Sequence, residues 1–274
     1  MTHFLIAGLA VVWAAAGAVD PPAAQMSCSE VSSLRLSDVR ISVAEPVAPL
    51  GNAKAHCRVA GVIGKEIHFE LLLPDDWNGR FFMGGGGGYV GAVTNSVRST
   101  VNQGYATSGT DTGHQANALE AGWALNNAER QVNFGHLAIH RTAEVSKAIM
   151  RAYYGAHPEY SYFSGCSRGG GQALMEAQRY PQDFDGIVAA APAFNWTGFM
   201  AAMIQNVHLN YPDPSKLDVA VISTANLKLL ESSVLEKCDD LDGVEDGVME
   251  DPRQCDFDLA SIPSCAAGPG SDCF

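Results

Sequence analysis

The chain has 274 residues, enough for one large domain or one and a half, and an apolar content ordinary for a packed globular protein. Its 17 basic residues stand against 30 acidic ones, a net charge of −13, which excludes the basic face that nucleic-acid binding needs. The excess is local: residues 236–258 hold ten acidic side chains against Lys237 and Arg253.

Residues Phe4 to Val19 form an apolar, uncharged run, too short to span a bilayer comfortably. Ala16-Gly17-Ala18 supplies a small-x-small cleavage site, so residues 1–18 are expected to be a secretory signal and the protein to be secreted or periplasmic. Seven cysteines agree with export, where disulfides are the default. No C-x-x-C pair or Cys/His cluster with zinc spacing occurs, and the odd count leaves one cysteine without a partner in the chain.

Residues 34–43 alternate in two apolar sets and predict an early strand. His56 to Ile63 and Lys65 to Leu73 predict two more, turned at Gly64, with Ile67, Phe69, Leu71 and Leu73 on one face. After a turn over residues 74–79, Arg80 to Met83 reads as a short buried strand that runs into five glycines, Gly84 to Gly88. A linker is misplaced there. A phosphate loop would need a Gly-Lys-Ser/Thr ending. The dinucleotide spacing Gly86-x-Gly88-x-x-Gly91 is met, but Thr94-Asn95-Ser96 do not open a helix. The remaining reading is an oxyanion loop, in which Gly86 or Gly87 turns a backbone N–H toward a nucleophile.

Gly104 to Ser108 reads as a strand end, His136 to Tyr154 as a helix stopped by Gly155, and Asp185 to Pro192 as a buried parallel-type strand. Between them, Tyr160 to Phe163 predicts a strand and Gly171 to Tyr180 a helix stopped by Pro181. The turn joining that pair contains Gly165-x-Ser167-x-Gly169, the pattern of a nucleophile elbow. A turn this sharp strains the backbone at Ser167, and flanking glycines remove the Cβ clashes that would forbid it. The alternation from Arg80 to Pro192 predicts a parallel-rich sheet with helices on its faces, an α/β-hydrolase fold. Ser167 is then the nucleophile, with the N–H of Arg168 and of Gly86 or Gly87 as oxyanion donors. Beyond Trp196 the character changes: residues 198–235 are mostly helical and an acidic, cysteine-rich stretch follows.

These stretches resemble the tannase and feruloyl esterase family, over GYATSGTDTGH (104–114), YSYFSGCSRGGGQ (160–172), DFDGIVAAAPAFNWT (183–197) and CDDLDGVEDGVMEDPRQC (238–255). The resemblance runs from about residue 28 to the end of the chain. It implies a secreted serine esterase of aromatic acid esters, a small-molecule substrate with neither nucleic acid nor membrane as partner. It implies residues 24–197 as the first part of the hydrolase domain and 198–274 as the beginning of a lid. It also implies bridges Cys28–Cys57, Cys238–Cys255 and Cys265–Cys273. Cys166 is left unpaired here, because its family partner lies beside a catalytic histidine that this chain lacks.

In this fold the order is serine, then carboxylate, then histidine, and only His208 lies beyond Ser167. Glu176, Asp183 and Asp185 come too soon after the elbow, and His3, His56, His68, His114, His136, His140 and His157 too early. The base and acid are therefore expected outside the chain, and the 274 residues alone are expected to be inactive. In the acidic stretch Asp239, Asp242, Val244, Asp246 and Val248 give a set of hard oxygen donors, and the resemblance implies a structural Ca2+ there. The alternative reading is a non-catalytic secreted module that binds calcium or sugar on a hydrolase-like core.

Overall fold

The structure, a computed structural model, describes residues 26–266 and 273. The expected signal falls outside them. Two compact units divide the chain, one up to Phe194 and one from Asn195.

The first unit is built on a seven-stranded sheet of spatial order β1-β2-β3-β5-β4-β6-β7. Strands β1 (Val39–Val47), β2 (His56–Ile63) and β3 (Ile67–Pro74) form an antiparallel meander. Strands β4 (Arg80–Gly84), β5 (Ala106–Thr110), β6 (Tyr160–Cys166) and β7 (Gly186–Ala190) are parallel, and β5 pairs antiparallel with β3. Parallel neighbours require crossovers. Helix α1 (Ala128–Val132), a π turn (Asn133–Leu137) and helix α2 (Ala138–Tyr154) carry the chain from β5 to β6, and helix α3 (Arg168–Arg179) carries it from β6 to β7. The four parallel strands therefore end on one edge, where ligands bind in open α/β sheets.

Period-two alternation puts Ile67, Phe69, Leu71 and Leu73 in the core, as expected, against Phe81 and Met83 of β4 and Phe163 of β6. Helix α2 closes this face with Ile149 and Met150, both fully buried. Each such side chain contributes about 1.5–3 kcal/mol on burial. The Cys28–Cys57 bridge ties the N-terminal segment to β2.

Three elements differ from expectation. The early strand starts only at Val39, because Asp38 turns the chain at φ +55°. Leu34 and Leu36 pack against the core from outside any strand. The long helix is regular only from Ala138, since His136 and Leu137 belong to the π turn. Strand β7 is not buried: among the described residues it pairs only with β6, and Val188 stays exposed.

The second unit holds helices α4 (Trp196–Asn210) and α5 (Thr224–Cys238), so the expected helical stretch is broken over residues 211–223. Asn195 caps α4, and Ser223 with Asn226 forms a reciprocal cap on α5. The acidic stretch follows, closed by the Cys238–Cys255 bridge, and Cys265 pairs with Cys273. No helix among the described residues is long and apolar enough to cross a membrane.

Candidate active site

Strand β6 delivers the chain to the sheet edge and α3 takes it straight back, beginning at Arg168, three residues before the expected helix. The reversal falls on Ser167, at φ 59° and ψ −119°, a conformation that L residues rarely adopt. Three hydrogen bonds hold it. Ser167 N–H donates to the Ala190 carbonyl (3.1 Å), and the Ser167 carbonyl accepts from Gly171 (3.1 Å) and Ala193 (3.0 Å). Strain of this kind persists only where the surroundings over-determine it. Gly165 permits the turn, because a Cβ there would collide with the Gly169 carbonyl. Cys166 and Ser167 are exposed while Arg168 is buried, so the hydroxyl-bearing residue stands clear of the sheet over the positive end of α3.

The glycine run lies beside this turn. Gly85 N–H donates to the Ser164 carbonyl at 2.9 Å, continuing the β4–β6 ladder. A Cβ on Gly85 would stand 2.8 Å from Gly169 Cα and 2.9 Å from Gln172 Oε1, so the loop and the first turn of α3 touch backbone to backbone. No helix opens after the glycines. Thr94 bridges to Thr110 and a 3-10 turn follows at Arg98–Gln103, which removes the dinucleotide reading. Of the two candidate donors, Gly86 is buried and its N–H is taken by Gln172 Oε1 at 3.2 Å. Gly87 is exposed, with no heavy atom within 4 Å of where its Cβ would be.

Residues beyond the sequence-derived set frame the loop. His114, fully buried, donates from Nε2 to the Tyr89 carbonyl at 2.9 Å, and burial lowers its pKa, which keeps the imidazole neutral. Trp123 stacks on it with ring centroids 3.6 Å apart. The Arg168 guanidinium sits over the Phe134 ring (4.3 Å) and donates from Nη2 to the Phe134 carbonyl (2.8 Å). Burial lowers its pKa to about 10, still charged at neutral pH. Asp111, at the end of β5, accepts the His68 N–H (3.0 Å), the Gly113 N–H (2.8 Å) and His68 Nδ1 (2.7 Å). The Gly109–His114 run thus builds the wall next to the glycine loop.

Three further histidines of this unit are held elsewhere. His56 Nδ1 contacts the Lys54 carbonyl, His136 the Tyr180 hydroxyl and His140 the Asp183 carboxylate. Among the described residues of this unit no histidine hydrogen-bonds to Ser167. Glu176 and Asp183 lie farther along α3 and in the loop after it, bonded to each other. Asp185 accepts the Ser161 N–H at 2.7 Å. His208 belongs to α4 of the second unit. Cys166 is a free thiol.

In the acidic stretch the carboxylates cap backbone amides. Asp239 accepts Gly247 N–H on both oxygens (2.9 and 3.0 Å), Asp242 accepts Val244 and Glu250, and Asp246 accepts Val248. Among the described residues no three His, Cys, Asp or Glu side chains converge as a metal-holding group.

A serine in strained conformation at a strand-to-helix turn, beside a glycine loop at the carboxyl edge of a parallel sheet, defines an α/β-hydrolase. Residues 51–274 match the tannase and feruloyl esterase family, and the chain belongs to it. It is 35% identical over 267 residues to an uncharacterized esterase of Xanthomonas campestris pv. campestris, covering 92% of this chain and 46% of that protein. It is 32% identical over 250 residues to the mono(2-hydroxyethyl) terephthalate hydrolase of Piscinibacter sakaiensis, covering 80% and 42%. The crystal structure of feruloyl esterase B from Aspergillus oryzae superposes with a TM-score of 0.77 at 27% identity, covering 90% of this chain and 53% of that one. The chain spans about half the length of the curated relatives it matches.

Proposed function

We propose that the protein carrying this chain is a serine carboxylic ester hydrolase acting on small esters of aromatic acids. The observation that carries the reading is the strained Ser167, held by three backbone hydrogen bonds at a strand-to-helix turn beside the glycine loop. Relatives named for terephthalate and ferulate esters support the aromatic acyl group. Ser167 Oγ attacks the ester carbonyl as a base takes its proton, the alcohol leaves with that proton, and water then cleaves the acyl-serine. The N–H groups of Arg168 and Gly87 stabilise the oxyanion; Gly87 is preferred over Gly86, whose N–H is already engaged. The base and its carboxylate partner are assigned outside this chain, as the serine–acid–histidine order requires. Without them, residues 1–274 alone are expected to be inactive.

Residues 198–274 are assigned as the beginning of a lid, and residues 1–18 as a signal. The three disulfides support an oxidising, extracellular or periplasmic location. Structural calcium at the acidic stretch is supported by ligand type, by spacing and by the family resemblance. Ser167→Ala in the full-length protein is expected to lower kcat on an activated aromatic ester by about 10^6-fold with the fold intact. A folded Ser167→Ala protein that still turns over ester would overturn the assignment.

A further inference from the structure

We propose that Gln172 is the positioning residue of the oxyanion loop, a role that rests on the esterase reading above. Gln172 lies five residues after Ser167 on α3, so the element that carries the nucleophile also carries this side chain. It is 3% exposed, and its Oε1 accepts the Gly86 N–H at 3.2 Å. The peptide that bears the Gly87 N–H begins at Gly86, so holding Gly86 limits rotation of that donor. Glycine has no side chain of its own to restrain the loop, and five in succession leave the chain free in φ and ψ. The restraint must come from outside. On the near side it comes from β6 through Gly85 and from α3 through Gln172; on the far side His114 holds the Tyr89 carbonyl.

A second observation sets Gln172 apart from packing residues. Its Nε2 is buried with no hydrogen-bond partner among the described residues. A buried unpaired donor costs free energy that a methionine or leucine of similar size would avoid. The fold accepts that cost in exchange for one acceptor oxygen at Gly86. Violations of this kind belong at functional sites.

The test uses the full-length protein with two readouts. Gln172→Met keeps the bulk and removes the acceptor; Gln172→Glu keeps an oxygen at the same reach. Gln172→Met is expected to speed amide exchange of Gly86 at least tenfold while the β4, β6 and α3 amides stay protected. It is expected to lower kcat by about 10- to 100-fold, the scale of a displaced oxyanion donor, with KM within twofold. Gln172→Glu is expected to restore Gly86 protection and most of kcat. Unchanged Gly86 exchange and unchanged kcat in Gln172→Met overturn the proposal, as does failure of Gln172→Glu to restore either. Ester hydrolysis that survives Ser167→Ala would sink the assignment of Ser167 as nucleophile instead, and the exchange measurement would still judge the clamp.

Discussion

Glu176 offers the sharpest thermodynamic test. It lies on α3, 1% exposed, with its carboxyl hydrogen-bonded to that of Asp183. Asp183 in turn accepts His140 Nδ1 at 2.6 Å, and Lys147 Nζ donates to the Asp183 carbonyl. Burial, and then the Asp183 charge and bond, push the Glu176 pKa up to about 9 from an ordinary 4.5, with Lys147 opposing. The native protein therefore keeps a proton that the unfolded chain releases above pH 4.5. For an acid raised in this way, stability is fully present below the unfolded pKa and is lost as pH rises toward the folded one. The slope is ~1.4 kcal/mol per pH unit, so about 3 kcal/mol goes between pH 6 and pH 8. At roughly 2–4 °C per kcal/mol for a unit of this size, that is a fall in Tm of about 6–12 °C. Glu176→Gln keeps the shape and donates an N–H to Asp183, but cannot ionise. Thermal unfolding of both proteins from pH 5 to pH 9 is the assay. The curves are expected to converge near pH 5 and to separate as pH rises, with Glu176→Gln the more stable at pH 8. Parallel curves would refute the reasoning, because the proton would then not be held by Glu176.

Other perturbations follow from the same contacts. Gly165→Ala drives a Cβ into the Gly169 carbonyl, so it is expected to lose about 1–3 kcal/mol by denaturant unfolding and to abolish turnover. The Cys28–Cys57 bridge closes a loop of sequence separation 29, worth about 3–4 kcal/mol in the chain-entropy account. Replacing both cysteines by serine is expected to lower Tm accordingly, and an unchanged Tm would show that the loop is restrained by other contacts. If calcium binds the acidic stretch, added Ca2+ raises Tm, chelator lowers it, and Asp239→Ala or Asp242→Ala removes the difference. A Tm indifferent to calcium and chelator would leave Asp239, Asp242 and Asp246 as caps on backbone amides.

Features that depend on neighbours in sequence were legible before any coordinates. The elbow could be read because a strained serine needs glycine at both flanks, within a strand and a helix whose residues are contiguous. The core face of β3 could be read because side chains alternate. The cysteine pairing was available only through resemblance, since seven cysteines admit many connectivities. What escaped depends on partners far apart. Glutamine at position 172 is one more helix former until Gly86 is brought to it across 86 residues. In sequence His114 is one of seven histidines that come too early to follow the serine. Its bond to Tyr89 exists only because the loop after β5 folds over the glycine run. The exposure of β7 is a property of its place in the sheet, which no run of apolar residues encodes.

The same distinction explains where the fold breaks its own rules. Ser167 holds a strained φ, Gln172 Nε2 and His114 Nδ1 are buried without partners among the described residues, and Glu176 keeps a proton at neutral pH. Three of these four residues lie on α3 or at its N-cap, and the fourth holds the loop that α3 touches. A helix kept only for packing would shed such costs through apolar substitution, because most interiors satisfy their polar atoms. Helix α3 thus carries the strained serine at its start, the side chain that meets the glycine loop one turn on, and a buried acid two turns on.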